Sequence, residues 1–275
     1  MSLNDKNFSG SIPDIYDDYL VPMIFESYAE DLARRVADGP AEDVLETATG
    51  SGVVTRALAR ALPAGTRLVA TDLNPPMLER ARARQPKGVN VTWQPADAQD
   101  LPFGESSFDA VVCQFGVMFF PDRIKGYSEA RRVLKPGGRF LFNVWDGIAD
   151  NEFADAVTQA ACRLIPDDPP RFLDRTPHGH GNPDRIRSEL VEAGFSDVLI
   201  DRVSETSTAP GPEYPAIAYV QGTPLRGEIE PHGPDMLERV TKAATEDIRA
   251  RWGDGPVSAK IQGFVVTARR DHPLA

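Results

Sequence analysis

An α/β fold built on a doubly wound, mostly parallel sheet is what this 275-residue sequence predicts. Two observations carry that expectation. From Asp43 to Asp146 short apolar runs alternate with amphipathic stretches, the pattern of a parallel sheet with helices on its faces. The stretch "DVLETATGSGVVTRALA", residues 43–59, passes from an apolar strand through a turn of small residues into a helix-like run. Nucleotide-binding strand–loop–helix units begin in this way, because a helix N-terminus presents free amides and partial positive charge.

The elements can be justified in chain order. "IYDDYLVPMIFESYAEDLARRV" repeats apolar residues at helical spacing, so residues 11–37 are expected as helices covering one face or end of the sheet. Strands are expected at 43–47, 67–71, 89–93, 108–114 and 139–145, in short apolar runs such as "RLVAT" and "FDAVVCQ". Asn74 before Pro75 reads as an N-cap with proline at the first helical position, opening "PPMLERARARQ". Asp122 is placed to cap "RIKGYSEARRVL", and "KPGG" stops that helix before the fifth strand. Beyond Asp146, "GIADNEFADAVTQAACRLI" reads as helix and "PDDPPRFLDRTPHGHGNPD" as a loop. Asn182 and Pro183 open a further helix that ends at "EAGF", with Gly194 as its C-cap glycine. A strand at 197–207, helices near 213–222 and 235–252, and a last strand at 259–270 complete a sheet of about seven strands. The whole chain, 1–275, is expected as one domain with a core at about 40–146, 183–207 and 258–270. Insertions at about 147–182 and 208–257, with the N-terminal helices, are expected to form a substrate cap.

Composition narrows the function classes. Hydrophobic residues make up 41% and charged residues 26%, an ordinary globular balance, and no apolar run approaches the roughly 20 residues needed to span a bilayer. The first residues, "MSLNDKNFSGSIPD", lack the basic-then-apolar order of a signal peptide, so a cytoplasmic protein with no membrane partner is expected. Cys113 and Cys162 are the two cysteines, which suggests neither a disulfide framework nor a cysteine metal cluster; no metal site is expected. A net charge of −11 without a dense Lys/Arg stripe argues against a nucleic-acid partner. Oligomeric state, a homodimer included, is open from sequence.

In an open α/β sheet the ligand binds beyond the carboxyl ends of the strands. The segments there are "ETATGSG", "TDLNPPM", "PADAQDLPF" and "CQFGVMFF". A dinucleotide site would carry G-x-G-x-x-G, but counting from Gly50 the third position is Thr55, which weakens a diphosphate reading. A plain structural turn is the other reading of this stretch. Asp72 ends the second strand 22 positions after Gly50, where a carboxylate accepts hydrogen bonds from a ribose diol; capping the next helix is its alternative role. Asp97 is placed to accept from an adenine amino group while the Ala98 amide donates to a ring nitrogen; Asp100 reads as solvated.

Taken together these segments resemble the class I S-adenosylmethionine-dependent methyltransferases, in particular the small-molecule type that includes the quinone-biosynthesis C-methyltransferases. "VLETATGSG" is similar to that family's first motif, "VATDLNPPML" to the second, and "ADAQDLPF" to the third. "FDAVVCQFGVMFFPD" and "EARRVLKPGGRFLF" are similar to the fourth and fifth. The resemblance covers about residues 40–146, more loosely "SELVEAGFSDV" and the final strand. It implies a Rossmann-like seven-stranded sheet of order 3-2-1-4-5-7-6 with the last strand antiparallel. It implies S-adenosylmethionine as cofactor and S-adenosylhomocysteine as product. Carried over by position, Glu46, Ala48, Thr49, Gly50 and Gly52 hold the methionine and ribose part, and Asp72 the ribose hydroxyls. Leu73 and Met77 flank the adenine, Asp97 and Ala98 read its edge, and Gln114 and Phe115 bound the methionine amino group and sugar. Tyr16 and Tyr19 lie in the N-terminal segment that commonly closes over the cofactor, with helix packing as their alternative. Ala48 departs from the family's first glycine: a negative φ tolerates its methyl group, whereas a positive φ implies strain.

The resemblance implies transfer of a methyl group to a small organic acceptor, chiefly by alignment and exclusion of water. His178 and His180 are the candidate bases, His180 being nearer the next helix. Met118, Phe119 and Phe120, with Phe153 and Tyr219, are candidates to line an apolar acceptor pocket, packing being their alternative. Two other readings stay open here: an NAD-linked oxidoreductase, and a protein that binds the cofactor without catalysis.

Overall fold

The computed structural model describes residues 12–85 and 90–272. Two residues at the edges of expected elements, Ser11 of the N-terminal helices and Val89 of the third strand, lie outside them. The strands are β1 (Asp43–Glu46), β2 (Arg67–Asp72), β3 (Val91–Pro95), β4 (Phe108–Gln114), β5 (Leu134–Trp145), β6 (Asp197–Ala209) and β7 (Val257–Arg269). They form one sheet of order β3-β2-β1-β4-β5-β7-β6, as expected. β1 pairs in parallel with both β2 and β4, and parallel pairing continues from β2 to β3 and from β4 to β5. β7 runs antiparallel to β5: Arg270 N–H donates to Gly138 O (2.9 Å), whereas just past the other end of β5 Asp146 N–H donates to Gln262 O (3.0 Å). Strand order reverses between β1 and β4, so the switch-point crevice opens at the ends of those two strands.

The helices are α1 (Ile12–Ile15), α2 (Glu26–Ala37), α3 (Val53–Ala61), α4 (Pro75–Ala83), α5 (Arg123–Val133), α6 (Glu152–Leu164), α7 (Phe172–Arg175), α8 (Pro183–Glu192), α9 (Glu213–Gln221), α10 (Leu225–Ile229) and α11 (Met236–Trp252). Between α1 and α2 the chain makes a π-helix, Tyr16–Phe25, with Pro22 inside it. Proline lacks an amide to donate, so this stretch cannot complete a regular α-helical ladder.

Most start signals hold, and one does not. Asp122 accepts from Lys125 N–H (3.0 Å), and Asn182 Oδ1 accepts from Asp184 and Arg185 N–H (3.0 and 3.1 Å). Asn74 occupies the cap position of α4 but its side chain makes no capping bond; its amide turns toward Asp72 Oδ1 (3.4 Å). The fifth strand also begins earlier than expected, at Leu134. "KPGG" lies within it as an irregularity, with Phe108 facing Leu134 and Ala110 facing Arg139, and Gly137 at φ +78°. Within the expected loop 166–184 the segment Phe172–Arg175 is helical, because Glu228 Oε2 accepts both Arg171 and Phe172 N–H (2.8 and 2.9 Å).

The chain divides into two compact units. The larger comprises 26–144, 181–202 and 264–275, and holds β1 to β4 and most of β5. One sheet face carries an aromatic cluster in which Tyr127 of α5 stacks on Phe142 at 5.4 Å and Phe140 meets Phe142 and Phe195. Each such buried ring contributes roughly 1.5–3 kcal/mol. Alternate residues of β5 point to the opposite face. There Arg139 donates to Arg35 O (2.9 Å), Val36 O (2.8 Å) and Pro40 O (3.3 Å), closing the C-terminus of α2. A side chain at Gly39 would strike that guanidinium, which explains the glycine. The smaller unit comprises 1–25, 145–180 and 203–263, and is built on α6, α9 and α11. Among the described residues no helix is long and apolar enough to cross a membrane.

Candidate functional site

The turn after β1 is where the sequence concentrates its small residues, and its backbone explains why. Ala48, Gly50 and Gly52 all adopt positive φ, at +51°, +57° and +80°. Glycine takes these angles freely, so two of the three positions are unstrained. At Gly52 a Cβ would also lie 2.9 Å from Ala81 Cβ of α4, so this position needs glycine twice over. Ala48 is left-handed with a side chain, a conformation costing about 1–2 kcal/mol. Of the two cases the sequence left open for Ala48, the strained one is the outcome. Phe115, at the end of β4, is likewise left-handed at φ +48°, so the ends of two adjacent strands both hold strained turns.

The turn is tied down from both sides. Thr49 N–H donates to Thr71 O (3.0 Å), and Gly50 N–H donates to Asp72 Oδ2 (2.8 Å). Asp72 Oδ1 accepts Asn74 N–H (2.7 Å), so one buried carboxylate joins the turn after β1 to the turn after β2. Burial pushes the Asp72 carboxyl up, against the pull of those two amides. Oδ1 also receives the Asn74 side-chain amide (3.4 Å), so it is Oδ2 that keeps a further lone pair for a ligand. Beside it Leu73 is 52% exposed, an apolar side chain left on the surface, while Met77 is buried with its Cε near Gly50.

Glu46, the last residue of β1, is buried, and Thr55 Oγ1 donates to its Oε2 (2.6 Å). Burial raises its carboxyl from 4.5 to about 7, a rise the Thr55 hydroxyl restrains. The residue that broke the dinucleotide pattern is thus the donor that holds the acid of the first motif. Asp97 is half-buried, and its Oδ1 accepts Gln99 N–H (2.9 Å); Ala98 is half-buried beside it. Gln99 Oε1 in turn accepts Asp122 N–H (2.9 Å), linking this loop to the start of α5. Asp100 is exposed.

At the end of β4, Gln114 is half-buried and lies beside Asn143 of β5 in register. The Phe115 ring meets Tyr28 of α2 edge-on at 5.1 Å. Met118 is buried and Phe119 half-buried; Phe120 packs over Gly126 of α5, where a Cβ would come within 2.5 Å of its ring.

The remaining expected residues belong to the smaller unit. Tyr16 packs on Phe25 at 5.2 Å, and Tyr19 on Tyr214 at 4.4 Å. Phe153 is fully buried edge-on to Trp252, and Tyr219 is buried in α9, so both rings lie in the helical core. His178 and His180 are both buried. His178 Nδ1 lies 2.9 Å from Asp146 O. A carbonyl accepts only, so Nδ1 carries the proton and Nε2 the lone pair. Burial lowers this imidazole to about 4, so it is neutral at physiological pH. Asp146 is held by Gln262 Nε2 on its Oδ2 (2.7 Å), Gln262 Oε1 accepts Ser204 Oγ–H (2.7 Å), and Asn151 bridges Gln262 O and Asp146 O. Asp146, Asn151, Ser204 and Gln262 were not singled out from sequence; 116 positions separate Asp146 from Gln262, and no local pattern announces the pairing.

Comparison with known proteins gives a consistent result. Residues 45–142 match the family profile described as "Methyltransferase domain". The chain is 43% identical over 108 residues to a demethylmenaquinone methyltransferase of Clavibacter sepedonicus, covering 39% of this chain and 43% of that protein. It is 28% identical over 196 residues to a ubiquinone/menaquinone biosynthesis C-methyltransferase of Zymomonas mobilis, covering 67% of this chain and 80% of that one. Several curated relatives are matched over only 38% to 47% of their own length. Among solved structures, phosphoethanolamine N-methyltransferase 2 of Haemonchus contortus in complex with S-adenosyl-L-methionine shares the fold, with a TM-score of 0.59 and 19% identity over 98% of this chain and 59% of that chain. Residues 45–142 thus carry a methyltransferase domain, and in sequence and strand order the chain is similar to S-adenosylmethionine-dependent methyltransferases.

Proposed function

We propose that the chain binds S-adenosylmethionine at the carboxyl ends of β1, β2 and β4 and transfers its methyl group to a small organic acceptor. The observation that carries this reading is the Asp72 carboxylate, which engages the Gly50 and Asn74 amides while sitting at the ribose position of the family's second motif. The residues present fit the cofactor. Left-handed glycines leave the turn bare of side chains at positions 50 and 52, and Leu73 offers an exposed apolar surface beside Asp72.

When bound, the cofactor supplies a methyl group already activated by its sulfonium leaving group. Asp72 accepts from the ribose diol through Oδ2, and its backbone amide bonds fix the direction in which it does so. Glu46 provides the negative partner for the ammonium of the methionine part, and Thr55 holds its oxygen in place. Asp97 and Ala98 read the adenine edge, and Gln114 and Phe115 bound the amino-acid end. Where the acceptor loses a proton, His178 and His180 are the candidate bases; Asp146 O fixes the His178 proton on Nδ1 and leaves Nε2 as the acceptor, which burial makes a weak base. The N-terminal helices and the segments 147–182 and 208–257 are read as the acceptor-holding cap, within a single functional domain. A net charge of −11 favours a small acceptor over a nucleic acid, and the absence of a cysteine framework favours the cytoplasm.

Calorimetry with S-adenosylmethionine tests the first half of this reading; no measurable binding by the intact chain defeats it. A labelled methyl-transfer screen over phenols, quinols, amines and small acids tests the second. Binding without transfer to any acceptor would favour a non-catalytic binding protein.

A further inference from the structure

Asn143 lies near the carboxyl end of β5 and is fully buried, yet neither Oδ1 nor Nδ2 meets a hydrogen-bond partner among the described residues. A buried amide left in that state costs about 1–3 kcal/mol for each unsatisfied group, a cost that leucine at nearly the same volume would not carry. Stability therefore does not explain this asparagine.

Its surroundings indicate what it serves. Ala110 faces Arg139, Val112 faces Leu141 and Gln114 faces Asn143 across the β4–β5 ladder, so these pairs share one sheet face. Arg139 identifies that face as the α2 side, because its guanidinium closes the end of that helix. The side chains of Gln114 and Asn143 are therefore immediate neighbours on the same row. The backbone of Asn143 grips the next residue too: its carbonyl accepts Phe115 N–H (3.2 Å), where the chain turns left-handed.

We propose that Asn143 is a positioning residue for the amino-acid end of the cofactor, acting through Gln114. The inference rests on the cofactor site described above. No bond joins the Asn143 and Gln114 amides in this arrangement; a rotation of Gln114 that pairs the two gives an orphaned Asn143 atom its partner and fixes which side of Gln114 faces beyond the strand end. The methionine end carries an ammonium and a carboxylate, so the direction in which Gln114 points its oxygen decides whether it helps or opposes binding.

The test compares S-adenosylhomocysteine, which has the amino-acid end, with 5′-methylthioadenosine, which lacks it. In Asn143→Leu, calorimetry should show S-adenosylhomocysteine weakened about tenfold and methylthioadenosine within about twofold of the parent chain. The urea midpoint should be unchanged or higher, because an unsatisfied amide has been removed. In a Gln114→Ala background the same substitution should have no further effect on S-adenosylhomocysteine. Equal weakening of both ligands, unchanged S-adenosylhomocysteine binding, or losses that add to those of Gln114→Ala would each overturn the proposal. If the leucine variant does not fold, Asn143→Ala provides the same comparison. A parent chain that binds no S-adenosylhomocysteine defeats the cofactor reading itself, and that is seen before any variant is made.

Discussion

Glu46→Gln isolates the electrostatic tension of the site. In the folded protein Glu46 titrates at about 7 against an ordinary value of 4.5, because burial disfavours its charge more than the Thr55 hydroxyl favours it. A raised folded-state value means that the protonated acid is the stabilising form. That stability is fully present below about pH 4.5 and is lost as pH rises through about 7. At about 1.4 kcal/mol for each tenfold difference in proton affinity, the loss approaches roughly 3 kcal/mol. Glutamine has the same shape, still accepts from Thr55 through its Oε1, and does not titrate. Urea denaturation of both proteins without cofactor, at half-unit steps from pH 4 to 8, should show near-equal stability at pH 4. The glutamine variant should gain steadily to an advantage of roughly 3 kcal/mol at pH 8. A saturating cofactor should erase that advantage, since its ammonium pairs only with the ionised acid. Parallel stability curves over the whole range would refute the assignment of a strained, ionisable carboxyl at this position.

Three other substitutions probe the same frame. Ala48→Gly releases a left-handed alanine, and after the added entropy of the unfolded chain it should stabilise the protein by about 0.5–1 kcal/mol in urea titration; a loss would contradict the strain. Asp72→Asn sets an NH2 group against one of the two backbone amides the carboxylate now serves, so cofactor affinity by calorimetry should fall about 100-fold or more; a change under threefold would deny Asp72 its role. Arg139→Met leaves the last carbonyls of α2 without their donor and should cost about 2–3 kcal/mol in denaturation while cofactor affinity stays within twofold. An equal loss of affinity would instead tie Arg139 to the site.

What the sequence determined alone was the local grammar. β4 was expected at the residues it occupies, Asp122 and Asn182 cap their helices as their positions foretold, and the seven-strand order followed from the resemblance. Those signals are local: alternation, a capping side chain and a turn rich in small residues act within a few positions of themselves. Tertiary structure decided what depends on distant partners. The sign of φ at Ala48 is set by a turn held to Thr71 and Asp72, and the Asn74 side chain turned to Asp72 instead of its own helix. Thr55 looked like a missing glycine until the helix it occupies brought its hydroxyl to Glu46, and the contact of the Phe120 ring with Gly126 of α5 came from packing across six positions. The tautomer of His178 waited on a carbonyl 32 positions away, and the orphaned amide of Asn143 showed only when β4 and β5 came into register. A residue type states which bonds it is able to make; only the packed chain, which removes water and supplies or withholds partners, states which ones it does make.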